Sequence, residues 1–258
     1  MSANKETLGR TVGVVLAVCL VCSIVVSSAA VGLRSLQQSN AAVDKKTNIL
    51  TAAGLYEAGM SKAAVKERYE ARVEEKFVDL ATGEYVENPV ADTGKPFDMY
   101  GKLAKDPNTS VKVEGNVGFS RRSAIANVFH IKEEDGSISR IILPVHGSGL
   151  WDLMFGFLAV SADGNTIEEL VYYQHKETPG LGGEVQNPAW MAKWKGKKIY
   201  DDGEVAIKVK KQAGSDNPYA VDALSGATLT SNGVSNTLQY WAGENGFGPY
   251  LQRQSWKS

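Results

Sequence analysis

Cysteine is nearly absent from this chain of 258 residues: the two present, Cys19 and Cys22, both fall in one uncharged run near the N-terminus. The remainder has none, so the folded part uses no structural disulfide. A strong charge of either sign is also missing. The formal net charge is -1, and without a basic footprint the chain is not built to hold nucleic acid. The three histidines, His130, His146 and His175, show no metal-ligand spacing with cysteines or carboxylates. Each reads as structural or exposed. No serine sits in a G-x-S-x-G elbow, which removes support for a hydrolase. Internal repeats and low-complexity segments are lacking as well. The apolar and aromatic content is that of a globular chain. Past the N-terminal segment there is length for one domain of about two hundred residues with a real core.

The uncharged run is TVGVVLAVCLVCSIVVSSAAVGL, Thr11 to Leu33. It is long enough to cross the hydrocarbon core of a bilayer, which takes about 20 residues. Arg10 and Arg34 bracket it and can reach the headgroups. Its SSAAVG stretch would pass for a signal-peptide cleavage region, but the apolar run exceeds a usual signal core and favours an uncleaved anchor. Lys5 and Arg10 precede it, while Arg34, Lys45 and Lys46 follow, so the charge balance leaves orientation open. Cys19 and Cys22 share one face of the helix. They read as small, soft residues in a membrane helix; the alternative is a thiolate pair shared with other subunits in a metal site, which is costly in lipid. These boundaries divide the chain into a tail (residues 1–10), a transmembrane helix (11–33), a polar tether (34–55) and a domain (56–258).

Periodicity organises that domain. Ser61 can cap a helix running to Phe77, with Val65, Tyr69, Val73 and Phe77 at i+4 spacing. KFVDLATGEYV reads as a hairpin turning at Thr82 and Gly83. Residues 91–115 have no clear period and read as loop. ANVFHIK and SISRIILPV flank the turn EEDG, LMFGFLAV and TIEELVYYQH flank SADGN, and GEVAIKVK is a further alternating run. Such paired runs suggest an antiparallel sheet. Asn187 and Pro188 start a short helix over AWMAKWK. A last helix spans about Ser231 to Glu244, stopped by Gly246 and Gly248. The class is α+β: one antiparallel sheet with flanking helices behind a single N-terminal transmembrane helix.

Three stretches carry candidate chemistry. VDALSGATLTSNG, Val221 to Gly233, combines bare backbone at Gly226 and Ala227 with the hydroxyls of Ser225, Thr228, Thr230 and Ser231, just ahead of a helix. A helix N-terminus offers unpaired N–H groups and a positive dipole end, which suits phosphate. No Lys-Ser/Thr follows the glycine, so this is not a Walker loop. A capped helix start with a turn glycine is the plainer reading of the same residues. HKETPGLGGEV, His175 to Val185, forces a sharp glycine loop with Leu181 at its tip, able to lie against a planar ligand; a tight connection is the alternative. PVHGSGLWDLMFGF, around His146, Gly149 and Trp151, is either plain core or the wall of an aromatic pocket.

The run DALSGAT, Asp222 to Thr228, resembles the flavinylation motif of the FMN-binding domain family, and HKETPGLG resembles that family's flavin loop. Together with one N-terminal span, with ETPGLGGEVQNPAW and with HGSGLW, the whole chain resembles the C-subunit family of sodium-translocating NADH:ubiquinone reductases, more than its relative, the G subunit of the Rnf complex. The resemblance implies FMN esterified through its phosphate to Thr228, placed there by an FAD-dependent, magnesium-using flavin transferase with release of AMP. Asp222 and Ser225 would serve recognition by that enzyme. It implies a flavin ring near Glu177, Thr178, Gly180, Leu181 and Gly182, with Trp151 close by and the phosphate by Gly226 and Ala227. Lys208 and Lys210 would meet the phosphate or an anionic flavin, a solvated strand face being equally open. Electrons would arrive from iron-site subunits and leave toward a second FMN on the B subunit and then ubiquinone. The chain would be a single-pass bacterial inner-membrane protein with its domain in the periplasm, catalytic only within the complex. The alternatives are an Rnf-type subunit, a flavinylated membrane regulatory ectodomain, and a cofactor-free structural subunit.

Overall fold

The computed structural model describes residues 7–214 and 216–257. Residues 1–6 of the expected tail, Lys5 among them, lie outside the described residues. The chain divides into two compact units, Met1–Lys45 and Lys46–Ser258.

Helix α1 (Leu8–Ala52) begins in the first unit and accounts for its described structure. Its apolar side chains, from Leu8 through Leu36, are exposed. At 45 residues it exceeds the length a bilayer requires, and its apolar half is long and apolar enough to cross a membrane. The polar stretch expected as a tether is helical through Ala52. The folded unit begins within it at Lys46, and Ile49, Leu50, Ala52 and Ala53 are fully buried there.

In chain order the second unit continues with α2 (Lys62–Arg72), β1 (Val73–Asp79), β2 (Tyr85–Val86), α3 (Lys102–Lys105), β3 (Ser110–Lys112), β4 (Arg121–Ser123), β5 (Ile125–Lys132), β6 (Ile138–Ser148), β7 (Leu153–Ser161) and β8 (Ile167–Gln174). There follow α4 (Pro188–Met191), β9 (Tyr200–Asp201), β10 (Glu204–Val205), β11 (Lys208–Lys210), β12 (Ala220–Asp222), α5 (Thr228–Ala242) and α6 (Gly248–Arg253). Six strands form one antiparallel sheet in the order β2-β1-β5-β6-β7-β8. The α+β class and its antiparallel sheet are as expected.

Alternation along the strands sorts side chains onto two faces. On one face Val128, Ile141, Leu143, Leu158 and Val160 pack with Val234, Leu238 and Trp241 of α5. On the other, Phe129, Ile131, Ile142, Phe157 and Ala159 pack with Ile49, Ala52 and Ala53, and Tyr69 of α2 lies alongside. The sheet is thus buried on both sides, which is why its central strands are nearly all apolar.

Several local expectations change. Ser61 caps α2, accepting from the Ala64 N–H at 3.2 Å, but the helix stops at Arg72 instead of Phe77. From Val73 to Asp79 every residue pairs with β5, and that ladder overrides an i+4 spacing of apolar residues that also fits a strand. The hairpin at Thr82 and Gly83 forms. The loop expected over residues 91–115 contains α3 and β3. GEVAIKVK splits: β10 pairs with β9, while β11 lies parallel to β12. The short helix after Asn187 is capped by that side chain, which accepts from the Ala189 N–H at 2.9 Å. The last long helix runs from Thr228 to Ala242, starting three residues before the expected Ser231 and ending two before the expected Glu244 with Gly243 at its C-cap, and α6 begins at Gly248 itself.

Candidate functional site

The start of α5 meets the loop after β8 and the turn between β6 and β7 at a cavity of about 210 Å³. Its walls are Leu150 and Trp151 from the turn, Glu177, Thr178, Leu181 and Gly182 from the loop, and Gly226 to Thr230 from the helix start. The three stretches singled out in the sequence therefore converge on one place. The rim is apolar and open: Trp151 is 67% exposed, Leu229 61%, Leu150 50% and Leu181 44%.

The helix start is bare. Ala227 precedes α5 with no side-chain cap, so the reading of this stretch as a capped helix start does not hold. Among the described residues the N–H groups of Thr228, Leu229 and Thr230 make no hydrogen bond; Ser231 makes the first, to the Ala227 carbonyl at 3.0 Å. Three donors and the positive dipole end are thus left open at a helix start whose residues line the cavity. Gly226 turns the chain there with φ of +71°, a conformation that favours glycine.

Four hydroxyls crowd this stretch, and their neighbours separate them. Thr230 is buried and donates to the Glu177 carboxylate. Ser231 is buried and accepts from the Leu224 N–H at 3.0 Å. Ser225 is exposed but stands outside the cavity walls. Thr228 is exposed, lines the cavity, and its hydroxyl makes no hydrogen bond among the described residues.

Glu177 is 5% exposed and sits at the floor of the site. One carboxylate oxygen accepts from the Trp151 N–H at 3.0 Å, the other from the Thr230 hydroxyl. Its own N–H donates to Nδ1 of His175 at 3.1 Å, giving that histidine a structural task. The Trp151 indole N–H donates to the Thr178 hydroxyl at 3.1 Å. At the rim Lys176 pairs with Asp152 at 2.5 Å, and its ammonium is the main cause holding the Asp152 carboxyl below its ordinary range.

Glu177, Thr178, Leu181, Gly182, Trp151, Gly226, Ala227 and Thr228, all expected at the site, line the cavity together. Ser225, Gly180, Asp222 and Lys210 do not. Asp222 points elsewhere: its carboxylate accepts from the Ala213 N–H at 2.8 Å and meets Lys193 at 3.2 Å, and both contacts, the backbone one foremost, lower its pKa. Its carbonyl accepts from the Trp190 indole at 2.8 Å. Lys208 is half-buried and Lys210 exposed on β11, beside β12 and apart from the cavity walls. Leu150, Leu229 and Thr230 are walls that sequence reasoning did not assign. Leu150 adjoins Trp151 in the HGSGLW stretch, and Thr230 lies two residues past Thr228 in the first turn of α5, which was the available signal.

Residues 149–243, which include every wall of this cavity, match the family model of the FMN-binding domain. Across the whole chain the likeness is closer still. It is 43% identical to the C subunit of the Na(+)-translocating NADH-quinone reductase of Yersinia pestis, covering 97% of this chain and 94% of that one. The C subunit of the Vibrio parahaemolyticus reductase is 47% identical, covering 98% and 97%. The crystal structure of NqrC from Shewanella oneidensis superposes with a TM-score of 0.74 at 30% identity, covering 82% of this chain and 97% of that one. The chain belongs to the C-subunit family of Na(+)-translocating NADH-quinone reductases, complexes with oxidoreductase activity, and α1 makes it a membrane-anchored member.

Proposed function

We propose that this chain is an electron-transfer subunit that carries FMN as a phosphoester on Thr228. The observation that carries this reading is the singling out of Thr228 among four hydroxyls: it is exposed, it lines the cavity and it is unengaged. The three free N–H groups of the first turn of α5 suit the monoanionic diester that such an attachment leaves behind. Trp151, Leu181, Leu150 and Leu229 supply apolar surface for a planar ring. The fit is partial by volume: about 210 Å³ falls short of the roughly 300–1,000 Å³ of sites that enclose a whole ligand. A ligand seated there keeps one side open. That suits one-electron exchange with neighbouring proteins, and it explains the use of a covalent bond where burial alone would hold weakly. FMN supplies the redox chemistry; this chain supplies position, an apolar seat and an anion site.

Attachment forms the bond from Thr228 Oγ to phosphorus as the pyrophosphate bond of FAD breaks; the hydroxyl proton is lost and AMP leaves. A flavin transferase is the partner for that step, and Thr228 is accessible to it. In the mature complex the partners are the iron-site subunits and the FMN-bearing B subunit, with α1 as the anchor over residues 11–33 and the domain on the periplasmic side.

The test uses purified full-length chain from cells with an active flavin transferase. Denatured in SDS and viewed under ultraviolet light, it should give a fluorescent band, and its mass should exceed that of the polypeptide by FMN less water. Thr228→Val should remove both. A wild-type chain without the band refutes covalent attachment; a band that persists in Thr228→Val moves it to another residue.

A further inference from the structure

Glu177 makes no ion pair among the described residues although it is 5% exposed. Burying a carboxylate is unfavourable unless it is hydrogen-bonded, and an apolar side chain would fill the same volume. What the carboxylate adds is connection. Oε1 holds the Trp151 N–H at 3.0 Å and Oε2 holds the Thr230 hydroxyl, so one side chain joins the turn bearing Trp151, the first turn of α5 and its own loop bearing Leu181. Backbone is kept bare opposite both oxygens. A Cβ at Gly149 would collide with Oε1, and one at Gly182 would stand 2.5 Å from both Oε2 and Thr230 Oγ1.

We propose that Glu177 is a positioning residue for the flavin, setting the spacing between the anchor at Thr228 and the ring seat at Trp151 and Leu181. The inference rests on the covalent FMN reading above. It separates two functions of the site: Thr228 attaches, and the Glu177–Thr230–Trp151 linkage holds the ring against its seat.

The experiment uses full-length flavinylated chain in detergent, with iodide as a quencher of flavin fluorescence, on Glu177→Ala, Glu177→Gln, Thr230→Val and Thr230→Ser. A wild-type chain without a flavin band defeats the underlying reading, and this proposal with it, before any variant is made. Given the band, Glu177→Ala and Thr230→Val should retain it while the quenching constant rises: in Thr230→Val by about tenfold, the factor attached to losing one hydrogen bond to a charged group, and in Glu177→Ala, which loses two, by more than that. Glu177→Gln and Thr230→Ser, which keep a hydrogen-bonding partner, should stay near wild type. Wild-type quenching in the Ala and Val variants overturns the proposal. So does loss of the band in a folded Glu177→Ala chain, which would make Glu177 necessary for attachment. Should Glu177→Ala alone fail to fold, Thr230→Val decides; failure of both makes the linkage a folding element and also overturns it.

Discussion

Acid should weaken the folded domain at a pH where most carboxylates are still ionised, because two imidazoles are buried. His130 is 2% exposed and His146 6%, and in each ring Nδ1 has no hydrogen-bond partner. Burial lowers His130 from 6.5 to about 4 and His146 from 6.5 to about 3. Above the unfolded value both states are neutral and neither ring affects the pH dependence. Below it the unfolded chain takes up protons that the folded chain refuses, so stability falls with pH until the folded values are reached. At about pH 4.5, two units below the unfolded value, each ring costs about 2.5 kcal/mol and the pair about 5 kcal/mol. That is comparable to the whole stability of an ordinary domain, about 5–15 kcal/mol. Urea unfolding of the full chain in detergent, followed by tryptophan fluorescence at about pH 7.5 and about pH 4.5, measures the drop. His146 stacks on Phe119 at 4.1 Å and Phe155 at 5.6 Å between ring centroids, so His146→Phe fits an aromatic slot and removes one titrating group. The loss should then halve, to about 2.5 kcal/mol. A wild-type free energy that is flat across this window, or a His146→Phe chain that loses as much as the wild type, would refute the reasoning.

Two further outcomes follow from the site. Gly182→Ala should lower the thermal unfolding temperature of the full chain by an amount equivalent to about 1–3 kcal/mol, since both atoms it meets are buried and hydrogen-bonded to each other; an unchanged transition would mean the loop yields freely. Thr228→Ser should keep the fluorescent flavin band because the hydroxyl survives, and Ser225→Ala should keep it because Ser225 stands outside the cavity walls. Loss of the band in the first would assign the threonine methyl a part in acceptor geometry, and loss in the second would assign Ser225 to recognition by the transferase.

Much of the fold was legible where local pattern and long-range pairing agree. The apolar runs of β5 to β8 and the turns between them, the Ser61 and Asn187 caps and the N-terminal apolar helix all follow from residue pattern and turn chemistry. Residues 73–79 were not legible, because Val73 and Phe77 suit either a helix face or a strand and only β5, some fifty residues away, decides between them. GEVAIKVK likewise alternates as one strand but is divided between two partners. At the site, the meeting of the three stretches was implied by the resemblance to the FMN-binding family; their glycines, hydroxyls and tryptophan alone left a capped helix start, a tight connection and plain core equally open. The position of Asp222 outside the cavity walls was not legible, because its carboxylate is engaged by Lys193 and the Ala213 N–H, contacts that no spacing announces.

By itself the sequence determined what depends on residue type and local spacing: a charge-free helix long enough for a bilayer, apolar strands paired across turns, and a hydroxyl-rich stretch ahead of a helix. Tertiary structure decided which hydroxyl is available. Thr230 is turned inward onto Glu177, and Ser231 is engaged by the Leu224 N–H, leaving Thr228 open at the cavity. The four hydroxyl residues are chemically close to equivalent along the chain; a residue fifty-three positions away in sequence and the burial of the helix face make them different.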